Sequence, residues 1–402
     1  MSMATLPRKL KIAAWAAASI CVCASLMAGA KPAARQATTT RPATPRATTT
    51  SPAALQATTT SLAGSLAAVT AGSATDAWAV GETRTRQPLT LHWNGTSWAR
   101  VPTPGAAGNF LSGVAEISPT NVWAVGASGS TSLVMHWNGT RWAQVPTPNS
   151  GISALSGVGA VSANDIWAVG SGGTATRETT LVLHWDGRAW TQVPSPTPPG
   201  QVVALFSVSG VSATDAWAVG RDLTRTTGKT LMLHWDGTAW TQVPSPSPGT
   251  SDNQLFGVHM ISATDGWAVG YESGSLPEDL TLVLHWDGTA WTQVPSPSFG
   301  LRDGGSQLMA VSALSGSDAW AGGIVFTRGG EGTLLLHWNG TSWTRVLAPS
   351  PSPGGATGGS FLNGVAMVAT ADVWSAGETE FDNTGRERTL LLHWNGTAWT
   401  RF

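Results

Sequence analysis

Seven histidines, each followed by a tryptophan, recur at His92, His136, His184, His234, His285, His337 and His393, between 44 and 56 residues apart. An acid or amide stands at a fixed place upstream of each: Asp76, Asn121, Asp165, Asp215, Asp265, Asp318 and Asp372. Imidazole and carboxylate together can ligate a metal or move a proton. A repeat, however, gives each unit one copy, which spreads the rings apart instead of gathering them about one ion. The expected histidine is structural, donating to a carbonyl or to that acid, and the acid caps the turn before its strand. His259 falls outside the pattern and stands alone. No catalytic, cofactor-binding or metal-ligating residue is assigned, and no cofactor is expected. The chain carries no G-x-S-x-G, Walker or H-E-x-x-H motif. A carboxylate pair for glycoside hydrolysis would have to hide within the repeat.

Chemistry of recognition has more candidates. The sequence holds 22 tryptophans, Trp15 and three in every repeat. One large ring per strand is what a wedge-shaped sheet needs for packing. The third of each trio, Trp98, Trp142, Trp190, Trp240, Trp291, Trp343 and Trp399, falls on the last strand of its unit. That strand is expected to be the most exposed, so these rings are the candidates for stacking on sugars, where repetition would add avidity. Charged residues in the variable segments form the second set: Arg177, Arg221, Arg225, Glu272, Arg328 and Arg386. Their alternative role is to keep a tryptophan-rich surface soluble.

The elements that position these residues follow from the repeat. Its consensus runs L-x-G-V-x-x-x-S-A-x-D-A-W-A-V-G, a variable segment, then T-L-x-L-H-W-(N/D)-G-T-x-W-T-x-V-P-x-P. Four short strands are predicted per unit, rich in Val, Leu, Trp and Thr and bounded by turn residues. In the fifth unit they are Leu255 to Ile261, Gly266 to Gly270, Thr281 to Trp286 and Ala290 to Val294. Asn-Gly or Asp-Gly between the last two predicts a two-residue type I′ turn. That register sets Leu284 opposite Trp291 and Trp286 opposite Thr289, with both tryptophans on one face.

Four antiparallel strands, apolar on both faces and repeated seven times, predict an all-β, seven-bladed β-propeller. The boundaries expected are 61–104, 105–148, 149–196, 197–246, 247–296, 297–350 and 351–402. An open solenoid would want atypical capping repeats, and the end units here resemble the middle ones. Whether sequence repeat and blade are in phase stays open. With the first strand innermost, the constant turns share one face and the variable segments the other. A rigid scaffold with variable polar loops on one rim is the usual layout of a binding surface.

Upstream, residues 1–30 read as a secretory signal: Arg8, Lys9 and Lys11, an apolar run, then Ala28-Gly29-Ala30. An uncleaved anchor helix is the alternative, and cleavage would leave no stable membrane insertion. Residues 31–60, rich in Thr, Pro and Ala, predict a disordered linker. The only cysteines, Cys21 and Cys23, lie in the signal, so the exported part would have no disulfide and no thiolate. A formal charge of −1 without a basic stripe argues against nucleic acid.

The order WTQVPSPSPG, LFGVHMISATDGWAVG, LVLHWDG resembles the tectonin-type repeats of lectin propellers, and WAVG followed by LHWDGTAWTQVP resembles kelch-type propellers. The repeats are longer than those of tectonins, and the kelch double glycine is mostly reduced to one. The tectonin resemblance implies sugar or lipopolysaccharide binding. The expected protein is a secreted or cell-surface, non-catalytic binding module. Its expected partners are glycans or cell-envelope polysaccharide, with an extracellular protein as the alternative. One aromatic pocket per blade would favour a lectin, and one asymmetric patch a protein partner.

Overall fold

Each repeat folds, in sequence order, into one four-stranded antiparallel sheet in the computed structural model. The structure describes residues 61–402 apart from 149–150, 175–176, 198–201, 224–226, 275–277, 301–303, 328–329, 352–357 and 382–385. The signal and linker expected over 1–60 lie outside the described residues. In the fifth blade the strands are Asp252–Ser262, Asp265–Ser273, Asp279–Trp286 and Trp291–Gln293. Seven such sheets occur among the described residues, the sixth and seventh joined by one parallel bridge between Glu331 and Gly359. The first strands touch one another in a circle that runs from Gly64–Ser73 in blade 1 to Gly359–Ala369 in blade 7 and back. They are therefore innermost, and the whole is a β-propeller in which repeat and blade are in phase.

The blades adhere through tryptophan. The ring in each second strand is buried and packs against two tryptophans of the next blade. Trp217 lies 4.7 Å from Trp286 and 5.5 Å from Trp291, the latter pair edge to face at 74°. Edge-to-face pairing sets the positive rim of one ring on the negative face of another, beyond what area burial gives. The same triplet closes the circle. Trp374 of blade 7 lies 5.0 Å from Trp93 and 5.1 Å from Trp98 of blade 1. Phe402 fills the same seam, and Leu62 accepts a 2.9 Å hydrogen bond from the Thr389 amide. Among the described residues, closure is by packing, local bonds and one antiparallel bridge between Ala63 and Arg388, with no named strand exchanged between the ends.

Two details of the inner strands repeat in blade after blade. Register shifts fall between Leu255 and Gly257 and between Met260 and Ser262, and at matching places in the other fully paired blades. The first bulge brings a carbonyl of the inner strand onto the glycine that ends WAVG. A Cβ on Gly220 or Gly270 would run into the Ala204 or Gln254 carbonyl oxygen. That is why this glycine is constant.

The hairpin between third and fourth strands differs from its expected form. Trp286 pairs with Trp291, and Leu284 with Gln293, so the loop holds four residues. Asp287 Oδ1 accepts hydrogen bonds from the amides of Thr289 (2.8 Å) and Ala290 (2.9 Å) and from the Thr289 hydroxyl (2.6 Å). An Asx cap of this kind needs two more residues than a type I′ turn. Gly288 still takes positive φ, +89°. The shift is by two residues, so both tryptophans keep a common face. The variable segments are also more regular than expected: Glu272 pairs with Leu280 and Glu380 with Glu387, which extends second and third strands into them.

Since the ring closes, the terminal seam should matter as much as an internal one. Trp374→Ala and Trp217→Ala are each expected to cost about 3–5 kcal/mol in urea unfolding. A markedly smaller loss for Trp374→Ala would indicate an open array.

Candidate functional site

The seven histidines are structural. Each Nε2 lies 2.8–2.9 Å from the Oδ1 of its own blade's acid or amide, as in His92–Asp76, His136–Asn121 and His234–Asp215. Each ring also lies against the second-strand tryptophan, at 4.4 Å for Trp78–His92 and 4.3 Å for Trp217–His234. Among the described residues no group of three metal-ligating side chains converges. Asn121 serves in blade 2, accepting from Trp123 Nε1 at 2.9 Å as well. Burial without an acid partner moves His136 below the ordinary histidine range. His259 is half-buried, and its burial likewise lowers it.

The outer-strand tryptophans are not where exposure was expected. Trp142, Trp190, Trp240, Trp291, Trp343 and Trp399 are only 3–5% exposed, and Trp98 is half-buried. Their rings turn inward onto the preceding blade's second-strand tryptophan. In the six buried copies no ring face is left for a sugar. Outside blade 1, where Trp93 is buried, the more accessible rings belong to the third strands, in which Trp235 and Trp286 donate Nε1 to the turn before the second strand. Those half-buried rings lie on the constant face.

Of the charged candidates, Arg177 is exposed and Glu272 half-buried, with burial raising the Glu272 carboxyl. Arg225 and Arg328 lie outside the described residues. Arg386 opens a third strand in blade 7. Arg221 is different. It is 7% exposed, its guanidinium lies 5.9 Å from the centre of the Phe206 ring, and its Nε has no hydrogen-bond partner.

Arg221 belongs to a cluster whose other members the sequence reading passed over. It occupies the position after the WAVG glycine, where the blades disagree in size and polarity: Glu82, which is half-buried, and the buried Ala127, Ser171, Arg221, Tyr271, Ile324 and Glu378. Tyr271 is the chain's single tyrosine. Its hydroxyl donates to Asp252 Oδ2 at 2.7 Å and accepts from Gln254 Nε2 at 2.9 Å. Gln307 Nε2 donates to Asp279 Oδ2 at 2.8 Å across the next seam. Phe256 bridges the two halves, 5.3 Å from Phe206 and 5.9 Å from Tyr271. All lie at the variable-face ends of innermost strands or beside them, with Phe206 half-buried and Arg221, Gln254, Phe256, Tyr271 and Gln307 buried. The signal that could have found it was disagreement among repeats at a buried position.

Charges in this cluster are balanced by neighbours. Burial raises Glu178 while the Arg221 charge pulls it back, and burial raises Asp222 against Lys229. Burial and then the Asp252 charge push the Tyr271 hydroxyl far up, so it stays a phenol and a donor. Arg221 Nε, Asp252 Oδ1, Gln307 Oε1 and Glu178 Oε2, from four successive blades, are buried without partners, which leaves hydrogen-bonding capacity unused along this side of the ring.

No family model matches the chain, and no curated protein matches it. Among solved structures it is similar to a polysaccharide lyase of the ulvan lyase type bound to -[GlcA(1-4)Rha3S]-, with 8% identity over 85% of this chain and 96% of that one and a TM-score of 0.54. It is also similar to the RRP9 WD40 repeats, with 8% identity, 78% and 87% covered and a TM-score of 0.52. The SapL1 lectin in complex with alpha methyl fucoside gives 14% identity, 73% and 98% covered and a TM-score of 0.49. Likeness at such identity speaks for the propeller fold alone.

A structural role for the His–Asp pairs has a direct test. Asp215→Asn copies blade 2 and should stay within about 1 kcal/mol of the parent, while Asp215→Ala strands the imidazole and should cost about 1–3 kcal/mol. Urea unfolding distinguishes the two.

Proposed function

We propose that the chain is an exported, non-catalytic binding module with one ligand site, the Phe206–Arg221–Gln254–Phe256–Tyr271–Gln307 wall at the variable-face ends of the inner strands. A single observation carries this reading. The same buried position is filled by Ala127 in blade 2 and Ile324 in blade 6, so the fold does not ask for an arginine or a tyrosine there. Aromatic faces beside amide, carboxyl and guanidinium groups suit a carbohydrate, whose ring carbons stack while its hydroxyls both donate and accept. The resemblance of the repeat to tectonin-type propellers points the same way.

The asymmetry favours a second reading, a protein partner that docks on the variable face around the same wall. Sevenfold sugar binding through the outer-strand tryptophans is set aside, because each of those rings packs edge to face on the preceding blade's second-strand tryptophan, the contact that holds the seams together.

The test is glycan-array binding of the chain, followed by calorimetry on any hit. One site per chain is expected, with Arg221→Ala and Tyr271→Phe each weakening it by about tenfold or more, and Trp142→Phe leaving it unchanged. Several equivalent sites would overturn the single wall. Silence across a broad array would turn the search to proteins captured by the same face.

A further inference from the structure

Blade 1 is flanked by two seams unlike the other five. On the side of blade 7, Glu378, Glu380 and Glu387 share one face of their sheet, since Glu380 pairs with Glu387 and Glu378 lies two residues before Glu380. That face carries Trp374 and Ala376, which pack onto blade 1. Glu378 is 7% exposed, and its Oε2 is buried with no hydrogen-bond partner. The charges that act on it come from Glu387, Glu380 and Glu82. Blade 1 offers Arg84 and Arg86, but both act on Glu387, and Arg86 already pairs with Glu82 at 3.5 Å. Arg388 is turned away to the Ser61 carbonyl at 3.1 Å.

On the other side, Glu116 of blade 2 leans onto blade 1, where the charge of Asp76, the acid that holds His92, acts on it. Its Oε2 accepts from the Gly72 amide at 3.1 Å. Two exceptions to the repeat meet here. Where blade 1 has Gly72 the other blades have a large aliphatic residue, such as Ile117, Val211 or Leu314. Where blade 2 has Glu116 they have alanine, glycine or methionine. A Cβ on Gly72 would strike the Glu116 carboxyl, so the two departures fit each other. Neighbouring carboxylates repel each other, which favours a proton on one of them.

We propose that blade 1 is a proton-latched segment: protonated carboxyls at Glu378 and Glu116 hold it to its two neighbours, and their ionisation loosens it from the ring while the other seams stay shut. A proton suits the Glu378 site better than a ligand, because its unpartnered oxygen is out of reach of solvent. Among the described residues, acids in three other seams have a cation or a donor beside them: the Arg221 charge acts on Glu178, Tyr271 and Gln254 donate to Asp252, and Gln307 donates to Asp279.

The direction of the effect follows from linkage. Burial first, then Asp76, raises Glu116 from 4.5 to about 7, and burial with the neighbouring glutamates raises Glu378 well above 4.5. A carboxyl raised in the folded state contributes stability that is full below its unfolded pKa and is lost as pH rises through the folded one. The latch therefore holds in mild acid and releases from neutral upward.

Hydrogen–deuterium exchange of the full chain tests this, with rates corrected for intrinsic pH dependence. Between pH 5.5 and 8.5, peptides of blade 1 should lose about tenfold or more protection relative to peptides of blade 4. The Glu116→Gln/Glu378→Gln chain should lose that difference. Parallel loss in both blades of the parent, or an unchanged difference in the double variant, would overturn the proposal. The parent series decides even if the variant folds poorly.

Discussion

The contact between one blade's second-strand tryptophan and the next blade's pair of tryptophans is the constraint on which everything else depends. A sheet apolar on both faces cannot stand alone in water; it needs a partner on each side. The tryptophan trio gives each blade the same partner geometry, so the sheets are driven into a closed circle. The histidine laid against each buried ring, held by its acid, fixes how that ring sits. The glycine after it lets the bulged inner strand approach. None of these residues is free to take on another task.

That economy makes departures informative. Where a residue differs among blades at an exposed loop, solvent explains it. At a buried position the scaffold offers no such explanation, since other blades build the same core with alanine or isoleucine. The wall around Arg221 and Tyr271 departs with aromatic and polar groups that interlock across three blades. The seams around blade 1 depart with Glu378 and Glu116, on which the charges of other acids act. The first pattern is that of a surface made to meet something, and the second that of a joint made to respond to its medium.

Much of this was legible in the sequence. Strand content, the propeller, the two unlike faces and the histidine–acid pairing follow from period and residue type. The hairpin register did not, because Asn-Gly and Asp-Gly suit both a two-residue turn and a four-residue Asx loop, and only the Asp287 side-chain bonds decide between them. The burial of Trp291 and its counterparts was hidden too. An outer strand is exposed in a single sheet, but a wedge of sheets folds its ring into the neighbour. Gln254 and Gln307 looked like ordinary polar residues before a strand. Their meeting with Tyr271 and Asp279 depends on which blades adjoin and on where the bulges fall.

The central claim is that the polar wall is not required for folding. The most direct test exchanges its two key residues for those found at the same position in blades 2 and 6, as Arg221→Ala/Tyr271→Ile. Thermal unfolding and ligand calorimetry are then measured on one preparation. The account predicts cooperative unfolding within a few degrees of the parent and loss of binding. A broad or strongly lowered transition would contradict it, since the wall would then be part of what holds the ring together.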